Sequence, residues 1–254
     1  MPTVADLTAL YANFLIGPRH GPGVCRTCFN LTDGFDRCYA CLRSPGWLDV
    51  VAPISYSVAH EQLHHVLASY KRSTGVVARR HQLELAAVLW RHLDRHERCL
   101  ARAAHIDRFD LVTTVPSSDP TRDDSHPLHR IVGELVAPTR GRHARRLLRT
   151  EPTAAEPHEF SDHKYASSEP LDGESVLLID DTWTTGANAQ SAAAALKSAG
   201  ASRVAALVIG RHVNRDWGQN DRRLRVLASG FDWEQCTVCA RQKPVPSEMC
   251  PAWG

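Results

Sequence analysis

Apolar residues follow the chain in two arrangements, short continuous runs and longer stretches with a helical period. Short apolar runs are typical of buried strands, whereas recurrence every three to four residues is typical of helices that bury one face. The runs predict strands at 50–58, 109–115, 176–179 and 203–210, and the other stretches predict helices at 61–70, 77–96, 127–137 and 189–199. From residue 109 onward strands and helices alternate, which predicts a parallel α/β sheet flanked by helices.

The strand predicted at 176–179 runs directly into Asp180 and Asp181. Carboxylates at the end of a strand can accept hydrogen bonds from sugar hydroxyls. The turn that follows precedes a helix, whose first N–H groups can bind a phosphate together with threonine hydroxyls. Its residues are Thr182, Trp183, Thr184, Thr185, Gly186 and Ala187. The pattern predicts a sugar-phosphate site; the alternative is a capped turn without a ligand, for which a single Asp or Thr suffices.

A second corner follows the strand predicted at 109–115. Ser117, Ser118 and Asp119 stand directly after that strand. Ligands of parallel sheets gather at the carboxyl ends of the strands, so these side chains are candidates for the same site. Lys71 and Arg122 are candidate cations for an anionic ligand. An ordinary turn and solvated surface charges are the alternatives.

Two C-x-x-C pairs lie near the start of the chain. Cys25 and Cys28 form the first pair, and Cys38 and Cys41 form the second after nine intervening residues. Two such pairs can complete a tetrahedral thiolate site for Zn²⁺, and four protein ligands make such a site structural. Disulfides or free thiols are the alternatives, although disulfides are rare inside cells.

A second cysteine group stands near the end of the chain. It comprises Cys236, Cys239 and Cys250, which supply three of the four ligands that a second zinc site needs. Cys99 and His212 are candidates for the fourth ligand, and the absence of a second site is the other interpretation. Cys99 is otherwise most simply a buried thiol.

Composition and organisation narrow the class of protein. The 254 residues carry a formal net charge of only +2, so direct binding of nucleic acid is not expected. An arginine-rich stretch at 140–149 is a solvated helix face or loop, a diphosphate contact or a weak nucleic-acid patch. Without an apolar run of about 18 residues, or a secretory signal, a cytoplasmic location without membrane contact is expected. We divide the chain into an N-terminal helix and zinc module (1–48), a sheet domain (49–230) and a cysteine-containing tail (231–254).

The stretch from Val176 to Asn188 resembles the signature of type I phosphoribosyltransferases that bind 5-phosphoribosyl-1-pyrophosphate (PRPP). Together with the four-cysteine module it resembles the ComF family, the competence-associated, amidophosphoribosyltransferase-like proteins of bacteria. The resemblance implies a type I phosphoribosyltransferase-like fold, with Asp180 and Asp181 as catalytic residues. It also implies that the turn at 182–187, Lys71 and the 117–119 corner bind PRPP with Mg²⁺. The chain departs from the family at 120–128, where an Arg-Gly-Phe-Asn-Gln-like stretch is usual.

Two functional hypotheses follow from this resemblance. The first is an Mg²⁺-dependent enzyme that transfers the phosphoribosyl group of PRPP to an unidentified nitrogen acceptor and releases diphosphate. In that case the loop predicted at 150–174 closes over the complex. The second is a non-catalytic PRPP- or nucleotide-sensing protein that docks a protein partner through its zinc module, with a link to DNA uptake.

Overall fold

The computed structural model describes residues 3–72, 75–117, 123, 125–150, 159–227 and 230–239. The strands are β1 Val50–Val58, β2 Leu111–Thr114, β3 Leu147–Arg149, β4 Tyr165–Ser167, β5 Ser175–Trp183 and β6 Arg203–Val213. The helices are α1 Val4–Thr8, α2 Tyr39–Arg43, α3 Gln62–Arg72, α4 Gly75–Ala103, α5 Pro127–Arg130, α6 Ala137–Arg140, α7 Ala187–Ser198 and α8 Asn220–Leu227. A 3₁₀ turn at Ala9–Asn13 follows α1, and a π turn at Ile131–Leu135 joins α5 towards α6.

A parallel sheet forms the centre of the fold, with strand order β1-β6-β5-β2. Helices cover both of its faces, which is why the strands are apolar along nearly their whole length. Leu177 and Ile179 of β5 pack in one core with Leu89 of α4. Leu178, between them, packs in a second core with Leu196 of α7. This alternation follows from the two-residue period of a strand, and it confirms the predicted α/β class.

The stretch predicted as one helix after Pro127 is broken in the structure. Residues 127–137 comprise α5, the π turn and an extended Val136, and α6 begins only at Ala137. Pro138 follows the predicted helix and lies in the first turn of α6; in a continuous helix its ring would clash with the carbonyl four residues earlier, so α6 begins anew after Val136. Gly133 also lies so close to His143 that an added Cβ would stand 2.7 Å from Nδ1 of that ring.

The stretch predicted as a loop at 150–174 contains a strand. Within it, β4 pairs antiparallel with β3, and Leu148 stands opposite Ala166. Three-residue strands carry too little alternation for the pattern to be read from the sequence. Residues 151–158 of the predicted loop lie outside the described residues.

The N-terminal cysteine module packs on the sheet near the carboxyl ends of its strands. Tyr56 of β1 donates its hydroxyl hydrogen bond to the carbonyl of Phe29 at 2.8 Å. Arg211 of β6 donates from Nε to the carbonyl of Cys28 at 3.0 Å. The module therefore contacts the edge of the sheet at which ligands of parallel sheets bind. Over the described ranges, none of the helices has both the length and the apolar composition that crossing a membrane requires.

Candidate functional site

A cavity of about 720 Å³ opens at the carboxyl ends of the four parallel strands. Each strand contributes to its wall: Ser57 from β1, His212 from β6, the end of β5, and Ser117 from the segment after β2. Parallel pairing places these positions at one edge, since Ser57 stands opposite His212 and the N–H of Val115 donates to the carbonyl of Ile179 at 3.1 Å. The two corners predicted from the sequence therefore meet at one cavity.

Asp181 is buried and held by two neighbours from the end of α3. Its Oδ2 accepts a hydrogen bond from the Tyr70 hydroxyl at 2.5 Å, and Lys71 Nζ lies 2.5 Å from the same oxygen. Burial acts to raise the pKa of Asp181, but the charge of Lys71 and these two hydrogen bonds outweigh it and hold the pKa below its ordinary value. Asp181 is therefore ionised at neutral pH, and the positive charge of Lys71 balances its negative charge.

Asp180 stands beside it in a different electrostatic state. Burial and the negative charge of Asp181 raise the pKa of Asp180 to about 7, and Lys71 offsets this only in part. Asp180 also accepts a hydrogen bond at 2.9 Å from the backbone N–H of Asp181. Near neutrality this carboxyl is therefore poised between its two forms, and a ligand that brings hydroxyl donors or positive charge would favour the ionised one.

The turn between β5 and α7 is supported from beneath by Trp183. Gly186 has φ +87°, and a Cβ placed there would stand 2.1 Å from the Trp183 ring. The Thr185 hydroxyl accepts a hydrogen bond from the N–H of Ala187 at 3.3 Å. The cavity lining includes Thr182 and Thr184, whereas Trp183, Gly186 and Ala187 are buried behind this surface. Trp183, predicted to contact PRPP, therefore lies under the turn and packs against Gly186.

The segment after β2 is fixed by Asp123. This carboxylate accepts hydrogen bonds from the backbone N–H of Ser117 at 2.7 Å and from Arg145 Nη2 at 3.0 Å. Ser118 and Asp119, predicted to bind PRPP, and Arg122 lie outside the described residues. The arginine-rich stretch supplies ion pairs within the chain, since Arg142 also binds Glu97 at 2.7 Å.

Several cavity residues were not predicted from the sequence. Tyr70 was not among the predicted site residues, since its hydroxyl contact with Asp181 depends on tertiary packing. His126 lines the cavity with its ring edge-on to Tyr70, and burial lowers its pKa to about 4, so it is neutral at physiological pH. His126 directly precedes Pro127, the first residue of α5, where the sequence indicates only a helix cap. Asn188 lines the cavity too, and among the described residues no hydrogen-bond partner meets its buried Oδ1.

The four N-terminal cysteines form one cluster, as predicted. All four are buried and their sulfur atoms lie within 4.8 Å of one another, with Cys28 and Cys38 at 3.6 Å. In a tetrahedral zinc–thiolate site the sulfur atoms stand about 3.8 Å apart, so the donor set fits a structural metal such as zinc. The buried Arg211 guanidinium lies 3.8 Å from Cys28 Sγ and offsets thiolate charge. The cluster comprises Cys25, Cys28, Cys38 and Cys41.

A second group of metal-ligating side chains joins α4 to the C-terminal segment. It consists of His96, Cys99, Cys236 and Cys239, whose ligand atoms also lie within 4.8 Å of one another. This group, too, could hold a structural metal. Cys99, a predicted candidate for the fourth ligand, belongs to it, whereas His212 lines the cavity instead. His96 was not predicted, and Cys250 lies outside the described residues.

No family model, no curated protein and no solved structure matches this chain. The cavity itself indicates which chemistry it supports. It combines paired carboxylates, a lysine, threonine hydroxyls and the start of a helix at one sheet edge. Such a set suits a ligand that carries both hydroxyl donors and an anionic group.

Proposed function

We propose that this cavity binds PRPP with Mg²⁺ and that the protein transfers the phosphoribosyl group to a nitrogen acceptor, in the manner of the phosphoribosyltransferases and the ComF family that its sequence resembles. The observation that carries the proposal is the Asp180–Asp181 pair at the carboxyl end of β5. It lies in the cavity wall between Lys71 and the turn that begins α7.

The acidic pair suits the ribose. Ribose hydroxyls are donors, and carboxylate oxygens accept them. Asp181 is already charged, and its contacts with Tyr70 and Lys71 fix its orientation. Asp180 gains negative charge when hydroxyl donors replace its proton, so ribose binding and ionisation of Asp180 support each other.

The turn before α7 suits the 5′-phosphate. The first N–H groups of a helix have no partner within that helix and carry partial positive charge. Thr182 and Thr184 add hydroxyls at the cavity wall, and Asn188 stands on the first turn of α7. Because Gly186 has no Cβ, the backbone can fold back against the Trp183 ring at this point. These groups would hold the phosphate end while the carboxylates hold the sugar.

The transfer breaks the bond between C1′ and diphosphate and forms a bond between C1′ and nitrogen. The transition state of such a displacement resembles an oxocarbenium ion, with positive charge on the sugar ring. The negative charges of Asp180 and Asp181 would stabilise the positive charge on that ring. Lys71 would pair with the departing diphosphate once ribose hydroxyls donate to Asp181. Mg²⁺ fits a site of carboxylate and substrate oxygens, where it would neutralise diphosphate charge.

Zinc is the metal that we propose for the N-terminal cluster. Thiolates suit zinc, and four protein ligands give it a structural role. The cluster packs in the same core as Trp183, so bound zinc would stabilise the turn that we assign to the phosphate. The module also remains the candidate surface for a protein partner.

One observation favours the second hypothesis, a protein that binds PRPP without transfer. Among the described residues that line the cavity, Lys71 alone is a lysine or arginine, and it is paired with Asp181. A diphosphate group would have to compete for it. Binding without turnover is therefore the competing outcome.

The release of diphosphate distinguishes the two hypotheses. The zinc-loaded protein is incubated with PRPP, Mg²⁺ and a panel of ammonia, amines and free purine and pyrimidine bases. We expect release with at least one acceptor, and none from Asp180→Asn with Asp181→Asn. Asp172→Asn is the matched control, since this exposed carboxylate precedes the opposite end of β5. PRPP binding without release across the panel would favour the second hypothesis.

A further inference from the structure

Two pairs of ligand residues face each other across the contact between α4 and the C-terminal segment. His96 and Cys99 stand three residues apart on α4, so they share one face of the helix. Cys236 and Cys239 form a C-x-x-C pair on the facing segment. The Cys99 sulfur lies 3.9 Å from His96 Nδ1, close to the edge of about 3.6 Å between sulfur and nitrogen in a tetrahedral zinc site.

The hydrogen bond of His96 leaves the correct ring nitrogen available. Nε2 lies 2.9 Å from the carbonyl oxygen of Trp233, and the imidazole is buried. Because a carbonyl only accepts, Nε2 carries the proton and donates it, and the lone pair resides on Nδ1. Nδ1 is the atom that faces the sulfur of Cys99. Histidine ligands of metals characteristically donate their other N–H group to a carbonyl in this way.

The cysteine pair is arranged as a chelating turn. The N–H of Cys239 donates to the sulfur of Cys236 at 3.3 Å, and the N–H of Cys236 donates to the sulfur of Cys239 at 3.0 Å. In a metal-bound pair, these N–H groups would offset part of the negative charge of the thiolates.

Neighbouring contacts seat the segment on α4. The Arg91 guanidinium stacks over the Trp233 ring at 4.3 Å from its centroid, and Arg95 forms an ion pair with Glu234. Trp233, Cys236 and Val238 also belong to the main core together with residues of α4. The four ligand side chains are therefore held in position by contacts that do not involve a metal.

We propose that His96, Cys99, Cys236 and Cys239 bind a second structural Zn²⁺, which fastens the C-terminal segment to α4. Three thiolates and one imidazole are a donor set that zinc prefers, and four protein ligands close its coordination. The inference does not depend on PRPP binding, since the ligands belong to a cluster distinct from the cavity residues.

The metal content of the full chain tests the assignment. We expect Cys236→Ser with Cys239→Ser to hold one zinc ion fewer per chain than the parent. Cys250→Ser is the matched control, since it removes a cysteine of the same C-terminal sequence that is not in the proposed ligand set, and its zinc content is expected to equal that of the parent. Equal zinc content in the double variant and the parent would overturn the proposal. A disulfide between Cys236 and Cys239 in the purified parent, detected by mass, would also overturn it.

A measurement on the unaltered chain covers the case in which the double variant does not fold. X-ray absorption at the zinc edge separates sulfur from imidazole ligands. With both clusters filled, we expect seven sulfur ligands and one imidazole for every two zinc ions, from the ligand sets of the two clusters. A shell of sulfur alone would show that His96 binds no zinc and would overturn the proposal.

Discussion

Adjacent carboxylates in this protein have different electrostatic states because their neighbours differ. Asp181 contacts Lys71 and the Tyr70 hydroxyl, which stabilise its charge. Asp180 has the charge of Asp181 beside it, and its pKa rises to about 7. The pair therefore carries between one and two negative charges near neutrality when no ligand is bound.

The raised pKa of Asp180 makes stability depend on pH. The folded state retains a proton up to about pH 7, whereas the unfolded state loses it near the ordinary value of 3.8. Folding is therefore favoured by this group at low pH, and that contribution is lost as the pH rises through this window. Asp180→Asn has no carboxyl to ionise, so it does not lose this stability as the pH rises. We expect the variant to be about 1–2 kcal/mol more stable than the parent near pH 8, and of similar stability near pH 4. Urea unfolding at both pH values measures this. An unchanged pH dependence in Asp180→Asn would contradict the assignment.

The Tyr70 hydroxyl has a role at the cavity that can be separated from its role in stability. Tyr70→Phe removes the hydrogen bond to Asp181 and should lower the free energy of unfolding by about 1–2 kcal/mol. Tyr56→Phe is the matched control, because it removes a buried hydroxyl contact with Phe29 at the cysteine module. Urea unfolding should show a loss in both variants, whereas titration with PRPP should show weaker binding in Tyr70→Phe alone. Equal PRPP affinities in the two variants would contradict the role of Tyr70.

Some of these site residues could be predicted from the sequence, and others could not. The acidic pair could be predicted because two carboxylates directly follow a buried strand, whereas Lys71 was only a candidate cation for an anionic ligand. The contact of Tyr70 with Asp181 spans 111 residues, and no local pattern reports it. The neutral state of His126 depends on burial, which is likewise a property of the folded chain.

At the scale of elements, the turn into α7 depends on Gly186. Gly186→Ala would place a Cβ in the left-handed region and 2.1 Å from the Trp183 ring. Gly173→Ala is the matched control, since Gly173 has φ +83° and nothing within 4 Å of the added Cβ. We expect a loss of about 1–2 kcal/mol for the control from the backbone alone, and about 3 kcal/mol or more for Gly186→Ala.

Thermal unfolding and PRPP titration measure both effects. Only Gly186→Ala should weaken PRPP binding, because only that residue shapes the turn assigned to the phosphate. Similar losses of stability in the two variants would show that Trp183 does not constrain the turn.

The hydrophobic pattern of the sequence predicted some strands and helices and missed others. The strands β5 and β6 could be predicted because central parallel strands are continuously apolar. The short strands β3 and β4 could not, since their pairing depends on each other and on packing against α7. The prediction of one helix at 127–137 missed the π turn and the extended Val136, because the apolar period continues through both.

At the scale of the whole molecule, Arg211 connects the cysteine module to the end of β5. Its guanidinium donates to the carbonyls of Cys28 and Trp183, at 3.0 and 3.1 Å. Module and sheet therefore share one buried network. The sequence indicated the module itself, but its place on the sheet depends on residues 183 positions apart.

Loss of the N-terminal metal should therefore affect the whole molecule. We expect Cys25→Ser to lose the zinc ion of the N-terminal cluster, to lower the thermal midpoint of the entire chain and to weaken PRPP binding through the turn above Trp183. Arg43→Ala, at an exposed position on α2, is the control and should change none of these. Zinc analysis, calorimetric unfolding and PRPP titration measure the three effects. An unchanged midpoint after zinc loss would show that the module and the sheet are not coupled.

The central claim is that the acidic pair at the end of β5 recognises PRPP. Calorimetric titration of PRPP into the zinc-loaded protein, with and without Mg²⁺, tests it most directly. We expect Mg²⁺-dependent binding by the parent and by Asp172→Asn, and no binding by Asp180→Asn with Asp181→Asn. Absence of binding by the folded parent, or the same affinity in the double variant, would contradict the claim.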